Sequence, residues 1–182
     1  MRRLLLVTLI APSLGIVSLP SSIAVAQTTV KSSEQALYQN QAYGFRVKLP
    51  PGVTYTRTLP PNPDHGFGIG LLGQGKLWVD ASYTDSSSTT EEAKVQSAGC
   101  HIEEKRAAKL GNRPAVALRF SCPASADGAG YTELLVLTVY REGDRSPVDY
   151  QIGMRADARG LSQNKELFEK IVAGFNFESA PQ

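Results

Sequence analysis

The side chains best suited to chemistry are few in this sequence of 182 residues. It has two histidines, His65 and His101, and two cysteines, Cys100 and Cys122. A zinc site takes three or four protein ligands. If the cysteines pair with each other, the histidines alone are too few, so we predict no metal site. His65, which follows an aspartate in a proline-rich loop, is a candidate for contact with a ligand or partner.

The carboxylates do not suggest a catalytic pair. Glycosidases flank the bond that they cleave with two carboxyl groups. The candidate acidic residues are Asp80, Asp85, Glu91 and Glu92, and nothing in their spacing supports such a pair. The GxSxG motif of α/β-hydrolases is also absent. We therefore predict no catalytic residue and keep an exported hydrolase with carboxylate chemistry as an alternative.

A glycine-rich stretch, residues 68–73, matches the letters of the dinucleotide-binding motif GxGxxG. That motif needs a strand before it and a helix after it, so that a helix N-terminus meets the phosphate. Here Gly73 and Gly75 break the chain and a strand pattern follows. We expect no cofactor. We interpret Gly68 and Gly70 as part of a strand whose bare backbone a ligand or partner could approach.

Aromatic residues surround this glycine-rich strand. Trp78 alternates with Leu77 and Val79, so it points away from the face that those two side chains fill. Because aromatic side chains dominate interface energetics, Trp78 is the leading candidate for binding. The predicted binding residues are Trp78, His65, Phe67, Gly68 and Gly70.

The first 26 residues have the features of a secretory signal peptide. Arg2 and Arg3 precede an apolar run, and Ala24-Val25-Ala26 fits a cleavage site. We expect cleavage after Ala26, no membrane anchor after cleavage, and a periplasmic or secreted protein. Without Arg2 and Arg3, the 19 basic residues fall to 17, which equals the 17 acidic residues. This balance argues against a nucleic-acid partner, which needs a basic face.

The two cysteines enclose a hairpin pattern whose turn is Gly111-Asn112. In an exported protein an even number of cysteines predicts a disulfide, here at the open end of the hairpin. A three-residue loop, Leu110 to Asn112, places Cys100 opposite Cys122. A two-residue Gly-Asn turn is the alternative. It would shift the register by one residue, and a bulge would have to restore it.

Patterns of period two predict strands along much of the chain. Residues 45–49, 77–83 and 148–154 alternate between apolar and polar side chains, and residues 67–72 form a hairpin with 77–83. Residues 131–140 are apolar on both faces, which is typical of a central strand covered on both sides.

Two helices are predicted. A capping box precedes the first, from Thr89 to Ala98. The second is capped by Ser162, carries an apolar stripe between Phe168 and Phe175, and ends at Gly174. The fold class is therefore α+β: a mostly antiparallel β-sheet covered by one or two helices, in a single domain with one disulfide-closed hairpin.

The predicted domain organisation has four parts. Residues 1–26 are the signal peptide, and 27–41 are a flexible leader with a short helical turn through Glu34 to Tyr38. Residues 42–178 form the domain, and 179–182 are a loose tail.

Three motifs and a long apolar strand characterise this layout. The motifs are Tyr43-Gly44-Phe45-x-Val47-x-Leu49-Pro50-x-Gly52, Leu110-Gly111-Asn112-Arg113-Pro114-Ala115 and Phe168-x-x-Ile171-x-x-x-Phe175. With these features the chain resembles the PsbP-like superfamily over about residues 38 to 177. The resemblance implies a noncatalytic assembly, binding or accessory domain.

We therefore expect an exported, noncatalytic binding or accessory protein that acts through contacts with another protein. An immunity-type role is one form of this expectation. The alternatives are the hydrolase and a small-ligand carrier, which would need a cavity beside the glycine-rich strand.

Overall fold

The computed structural model describes residues 27–31, 36–58, 63–71, 75–85, 99–124, 129–140 and 146–178. The predicted signal peptide, the predicted helix Thr89–Ala98 and the tail 179–182 lie outside these ranges. The helix within them lacks the length and apolar character needed to cross a membrane. The elements are β1 (Gln27–Lys31), β2 (Ala36–Asn40), β3 (Phe45–Leu49), β4 (Thr54–Thr58), β5 (Gly66–Gly70), β6 (Lys76–Tyr83), β7 (His101–Leu110), β8 (Arg113–Cys122), β9 (Tyr131–Tyr140), β10 (Val148–Ala156), α1 (Ala158–Gly174) and β11 (Phe175–Phe177).

The strands form two antiparallel sheets. The larger sheet has eight strands in the order β1-β4-β5-β6-β10-β9-β8-β7, and the smaller has three in the order β11-β3-β2. The strands and α1 confirm the mostly antiparallel α+β class. The predicted hairpin of 67–72 with 77–83 is also confirmed, since β5 pairs with β6.

The main core lies between the large sheet, the small sheet and α1. Strict alternation along β6 and β10 turns Leu77, Val79, Ile152 and Met154 inward, where they are at most 1 % exposed. Phe168 and Ile171 of α1 belong to the same cluster. The residues between these inward positions, Trp78 among them, therefore lie on the face away from α1, which we call the outer face.

Strand β9 is buried on both faces, as its sequence predicts. Val136 belongs to the main core, whereas Leu135 and Leu137 belong to a second apolar cluster on the outer face. This second cluster also includes Phe120 and Cys122 of β8. The cystine hairpin is thus packed into the sheet rather than projecting from it.

The predicted disulfide between Cys100 and Cys122 is confirmed, with a Cα–Cα distance of 4.2 Å. The three-residue loop is wrong, because Leu110 lies opposite Arg113 and the turn has two residues. A bulge between Ile102 and Glu104 then restores the register, so that Ile102 faces Phe120. Gly111 has φ 57°, a left-handed conformation that glycine adopts without strain.

The predicted cap of α1 is five residues too late. Asp157, not Ser162, is the N-cap, and its side chain accepts a hydrogen bond of 2.6 Å from the Gly160 amide. The apolar stripe that located the helix begins only near Leu167, so it could not show the polar first turns. At the other end, a Cβ on Gly174 would lie 2.5 Å from the Lys48 carbonyl oxygen, so glycine allows α1 to meet β3.

The prediction of a flexible leader over 27–41, with a helical turn, is wrong for the described residues. They form β1, which pairs with β4, and β2, which pairs with β3. Tyr38 is 1 % exposed and Asn40 is 3 % exposed. Leu37 and Gln39 alternate with these two residues and are exposed, so the segment has the period of a half-buried strand.

Candidate functional site

A groove of about 330 Å³ lies along β4, β5 and β6 and reaches β10. We call it the Trp78 groove. Its wall is an indole, its floor is the backbone of β5, and its rim carries polar side chains. It is lined by Gln27, Thr56, Arg57, His65, Gly66, Phe67, Gly68, Trp78, Val79, Asp80 and Gln151.

Trp78 forms the wall because a glycine lies beside it. Trp78 is paired with Gly153 of β10, and a Cβ at Gly153 would lie 2.1 Å from Cζ2 of the indole. The missing side chain therefore lets the ring lie across the neighbouring strand. The ring is half-buried, and the Nζ of Lys76 lies 5.0 Å from its centroid in a cation–π contact.

The glycines of β5 differ in what the fold demands of them. A Cβ on Gly66 would lie 1.9 Å from the Val79 carbonyl oxygen, so packing requires glycine there. A Cβ on Gly68 would meet only Thr56 Oγ1, at an ordinary 3.5 Å, and one on Gly70 would meet nothing within 4 Å. Neither has a positive φ. The packing of the fold therefore does not explain why β5 has glycine, and so no side chain, at residues 68 and 70.

His65 is held at the end of the groove by its ring nitrogen. Nδ1 lies 2.9 Å from the Ala81 carbonyl oxygen, which can only accept, so Nδ1 carries the proton. The Tyr43 hydroxyl oxygen lies 3.0 Å from the same nitrogen. In the neutral ring, Nε2 is therefore left as a hydrogen-bond acceptor.

Strand β2 fixes the loop that presents His65. Tyr38 donates a hydrogen bond of 2.9 Å to Asp64 Oδ1, and the Gly66 amide donates to the same oxygen at 3.2 Å. The Asn40 side chain donates to the Asp64 carbonyl oxygen at 2.6 Å. Burial, together with the Asp64 carboxylate, raises the pKa of Tyr38 well above its usual range, so this hydroxyl remains a donor. The residues expected to form a leader thus position one side of the groove.

Asp80 is the carboxylate of the groove. Burial raises the pKa of Asp80 above its usual range, while the charge of a protonated His65 ring would act in the opposite direction. Asp80 lies opposite Gln151 of β10 and opposite Gly66 of β5. Across the described ranges, no hydrogen bond or salt bridge to its carboxylate is formed.

The groups of the groove can be compared with those that a hydrolase or a metal site needs. The groove brings His65 and Asp80 together, but among its described lining residues there is no second carboxylate of the kind that a glycosidase uses. Its hydroxyl, Thr56 Oγ1, donates to the Gly68 carbonyl oxygen at 3.3 Å rather than to a base. Within the described residues, no group of three His, Cys, Asp or Glu side chains could hold a metal ion.

The structure brings together most of the predicted binding residues. Trp78, His65, Phe67 and Gly68 line the groove, although the Phe67 side chain itself is buried in the main core. Gly70 lies further along β5 and does not line it.

Sequence reasoning missed Thr56, Asp80 and Gln151 as parts of this site. Asp80 could have been found, because it is two residues from Trp78 on the same strand and shares its face. Gln151 could not, since its place beside Asp80 depends on the pairing of β6 with β10.

Comparison with known proteins identifies the fold only. No protein-family profile and no curated protein sequence matches the chain. The solved structure of PsbP (CyanoP) from the cyanobacterium Synechocystis is 12% identical, with a TM-score of 0.53, and the match covers 90% of this chain and 99% of that one. The PsbP-like resemblance is confirmed as a likeness of fold.

Two other solved structures are more distant. LpqN of Mycobacterium tuberculosis, involved in cell envelope biogenesis, is 14% identical with a TM-score of 0.45, over 85% of this chain and 92% of that one. The Ran-binding protein Mog1p of Saccharomyces cerevisiae is 14% identical with a TM-score of 0.44, over 85% and 96%. Neither likeness is close enough to bear on function.

Proposed function

We propose that this chain is an exported, noncatalytic accessory protein that binds another protein through the Trp78 groove. The observation that carries the proposal is a half-exposed indole beside a strand, β5, whose glycines at 68 and 70 are not required by packing. Tryptophan is enriched among the residues that dominate binding energy. Glycine within a strand costs about 0.5–1 kcal/mol relative to alanine. A groove kept open at that cost supports a binding role.

Export is supported by the disulfide, which is typical of proteins that leave the cytoplasm. The predicted signal peptide supports it as well. An immunity-type role, in which the chain would neutralise a toxin by covering it, is one form of this proposal. The groove fits that form no better than any other accessory role.

The proposal is tested by affinity capture from a periplasmic extract under mild crosslinking. The baits are the native chain, Trp78→Ala, and Lys165→Ala on the exposed side of α1 as the matched control. We expect the native and Lys165→Ala baits to retain the same protein, and Trp78→Ala to retain at least tenfold less of it. Equal recovery by all three baits, or no retained protein, would contradict the proposal.

A small-ligand carrier is the second candidate, because the groove lies beside the glycine-rich strand, where such a carrier would need a cavity. Native mass spectrometry of protein purified from its own cells tests this role. A carrier predicts a bound small molecule that Gly68→Val displaces. A mass equal to that of the polypeptide alone would argue against it.

A further inference from the structure

Several polar groups around the Trp78 groove donate hydrogen bonds to the protein itself. The Thr56 hydroxyl donates to Gly68, and His65 Nδ1 donates to Ala81. The Gln151 amide nitrogen donates to Asp149 Oδ2 at 2.5 Å. These groups leave three acceptors for a guest, namely the Thr56 oxygen, Nε2 of the neutral His65 ring and the Gln151 amide oxygen, beside the indole N–H of Trp78 as a donor.

Asp80 adds an acceptor with a negative charge. No hydrogen bond or salt bridge satisfies its carboxylate within the described ranges, and its surroundings are partly desolvated. A half-buried carboxylate in that state is stabilised most by a charged donor, especially one that offers two parallel N–H groups.

The positive charges near the groove make no salt bridge with Asp80 within the described ranges. A protonated His65 ring would act on Asp80 through its charge, without a hydrogen bond between the two side chains. Arg57 also lines the groove, but its charge acts on the Tyr38 hydroxyl, on the inner side of the sheet. The Nζ of Lys76 lies 5.0 Å from the centroid of the Trp78 ring, an arrangement in which an indole stabilises a cation.

We infer that the Trp78 groove receives an arginine side chain of the protein partner. A guanidinium has five donors and no acceptor, which complements the three acceptors of the rim and the Asp80 carboxylate. Its plane stacks on an indole, and its fork can bind a carboxylate through two bonds, so Trp78 and Asp80 would engage it together. A lysine offers a point charge without the planar stack. A neutral ligand would leave the Asp80 carboxylate uncompensated.

This inference rests on the proposed function and can be tested without the partner. The probe is N-acetyl-arginine amide, and the controls are the lysine analogue and the citrulline analogue, which keeps the planar shape but has no charge. Trp78 is the chain's single tryptophan, so its fluorescence reports on this groove alone. We expect a saturable change with the arginine probe and at least tenfold weaker binding of the citrulline analogue.

Three variants separate the contributions. Asp80→Asn should reduce the affinity for arginine to that for citrulline. Gly68→Val should abolish binding of both, because its side chain fills the floor. Gly70→Val, on the same face but outside the groove, should bind like the native chain. Equal affinity for arginine and citrulline, or no effect of Asp80→Asn, would overturn the inference. If partner capture still depends on Trp78 in that case, the proposed function stands although the arginine inference is wrong.

Discussion

Gly66 and Gly68 lie two residues apart on one face of β5, yet the fold constrains them differently. Gly66 lies against the backbone of β6, so any side chain there would collide with the Val79 carbonyl. Gly68 has room for a methyl group. Glycine at 66 is explained by packing, and glycine at 68 is explained by the open groove.

The two glycines therefore predict opposite changes in stability. Gly66→Ala should lower the free energy of unfolding by about 3 kcal/mol, since a close backbone contact cannot relax easily. Gly68→Ala should raise it by about 0.5 kcal/mol, because alanine loses less backbone freedom on folding. Urea denaturation of both variants measures this. A destabilised Gly68→Ala would show that the fold does need glycine at 68.

Asp80 predicts a stability that depends on pH. Because burial raises the pKa of Asp80 in the folded chain above the ordinary 3.8, folding favours the protonated form. Its contribution to stability is fully present below that unfolded value and is lost as the pH rises through the folded one. Asp80→Asn should therefore be more stable than the native chain at pH 7, with a difference that shrinks toward pH 3.

Denaturation curves across that pH range test the Asp80 prediction. Asp85→Asn, at an exposed position outside the groove, serves as the control. An Asp80→Asn variant with the same pH dependence as the native chain would show that Asp80 does not cause it.

At the scale of elements, the sequence predicted the strands better than their registers. The alternation of apolar residues located β3, β6 and β10. The cystine hairpin was ambiguous because Gly111-Asn112 suits both a two-residue and a three-residue loop. The bulge falls next to the charge run 103–106, where no apolar alternation fixes the register. Local patterns locate a strand, and only its partner decides the register.

The cystine predicts a large effect on the stability of this hairpin. Replacing both Cys100 and Cys122 by alanine removes the covalent link between two positions that are 22 residues apart, so the unfolded chain gains conformational freedom. The free energy of unfolding should fall by about 3 kcal/mol, and the melting temperature by roughly 6–12 °C. Thermal unfolding measures this, with the native protein under reductant as a second route to the same state. A loss below about 1 kcal/mol would contradict a stapling role.

At the scale of the whole molecule, the groove combines strands that are distant in sequence. β4, β5 and β6 follow one another along the chain, but Gln151 comes from β10, which pairs with β6. The segment expected to be a leader supplies β2, which holds the His65 loop. Trp78 and the glycines could be predicted because they depend on local alternation. The rest of the site depends on sheet order, which local patterns do not encode.

The most direct test of the Trp78 groove is photocrosslinking inside cells that produce the protein. A photoreactive residue replaces Gly70 at the edge of the groove, where an added side chain meets nothing within 4 Å, or Ala173 on the exposed side of α1 as the control. We expect one discrete protein adduct from position 70, none from position 173, and loss of the adduct when Trp78→Ala is added. The absence of any adduct from position 70, or an adduct that persists with Trp78→Ala, would contradict this expectation.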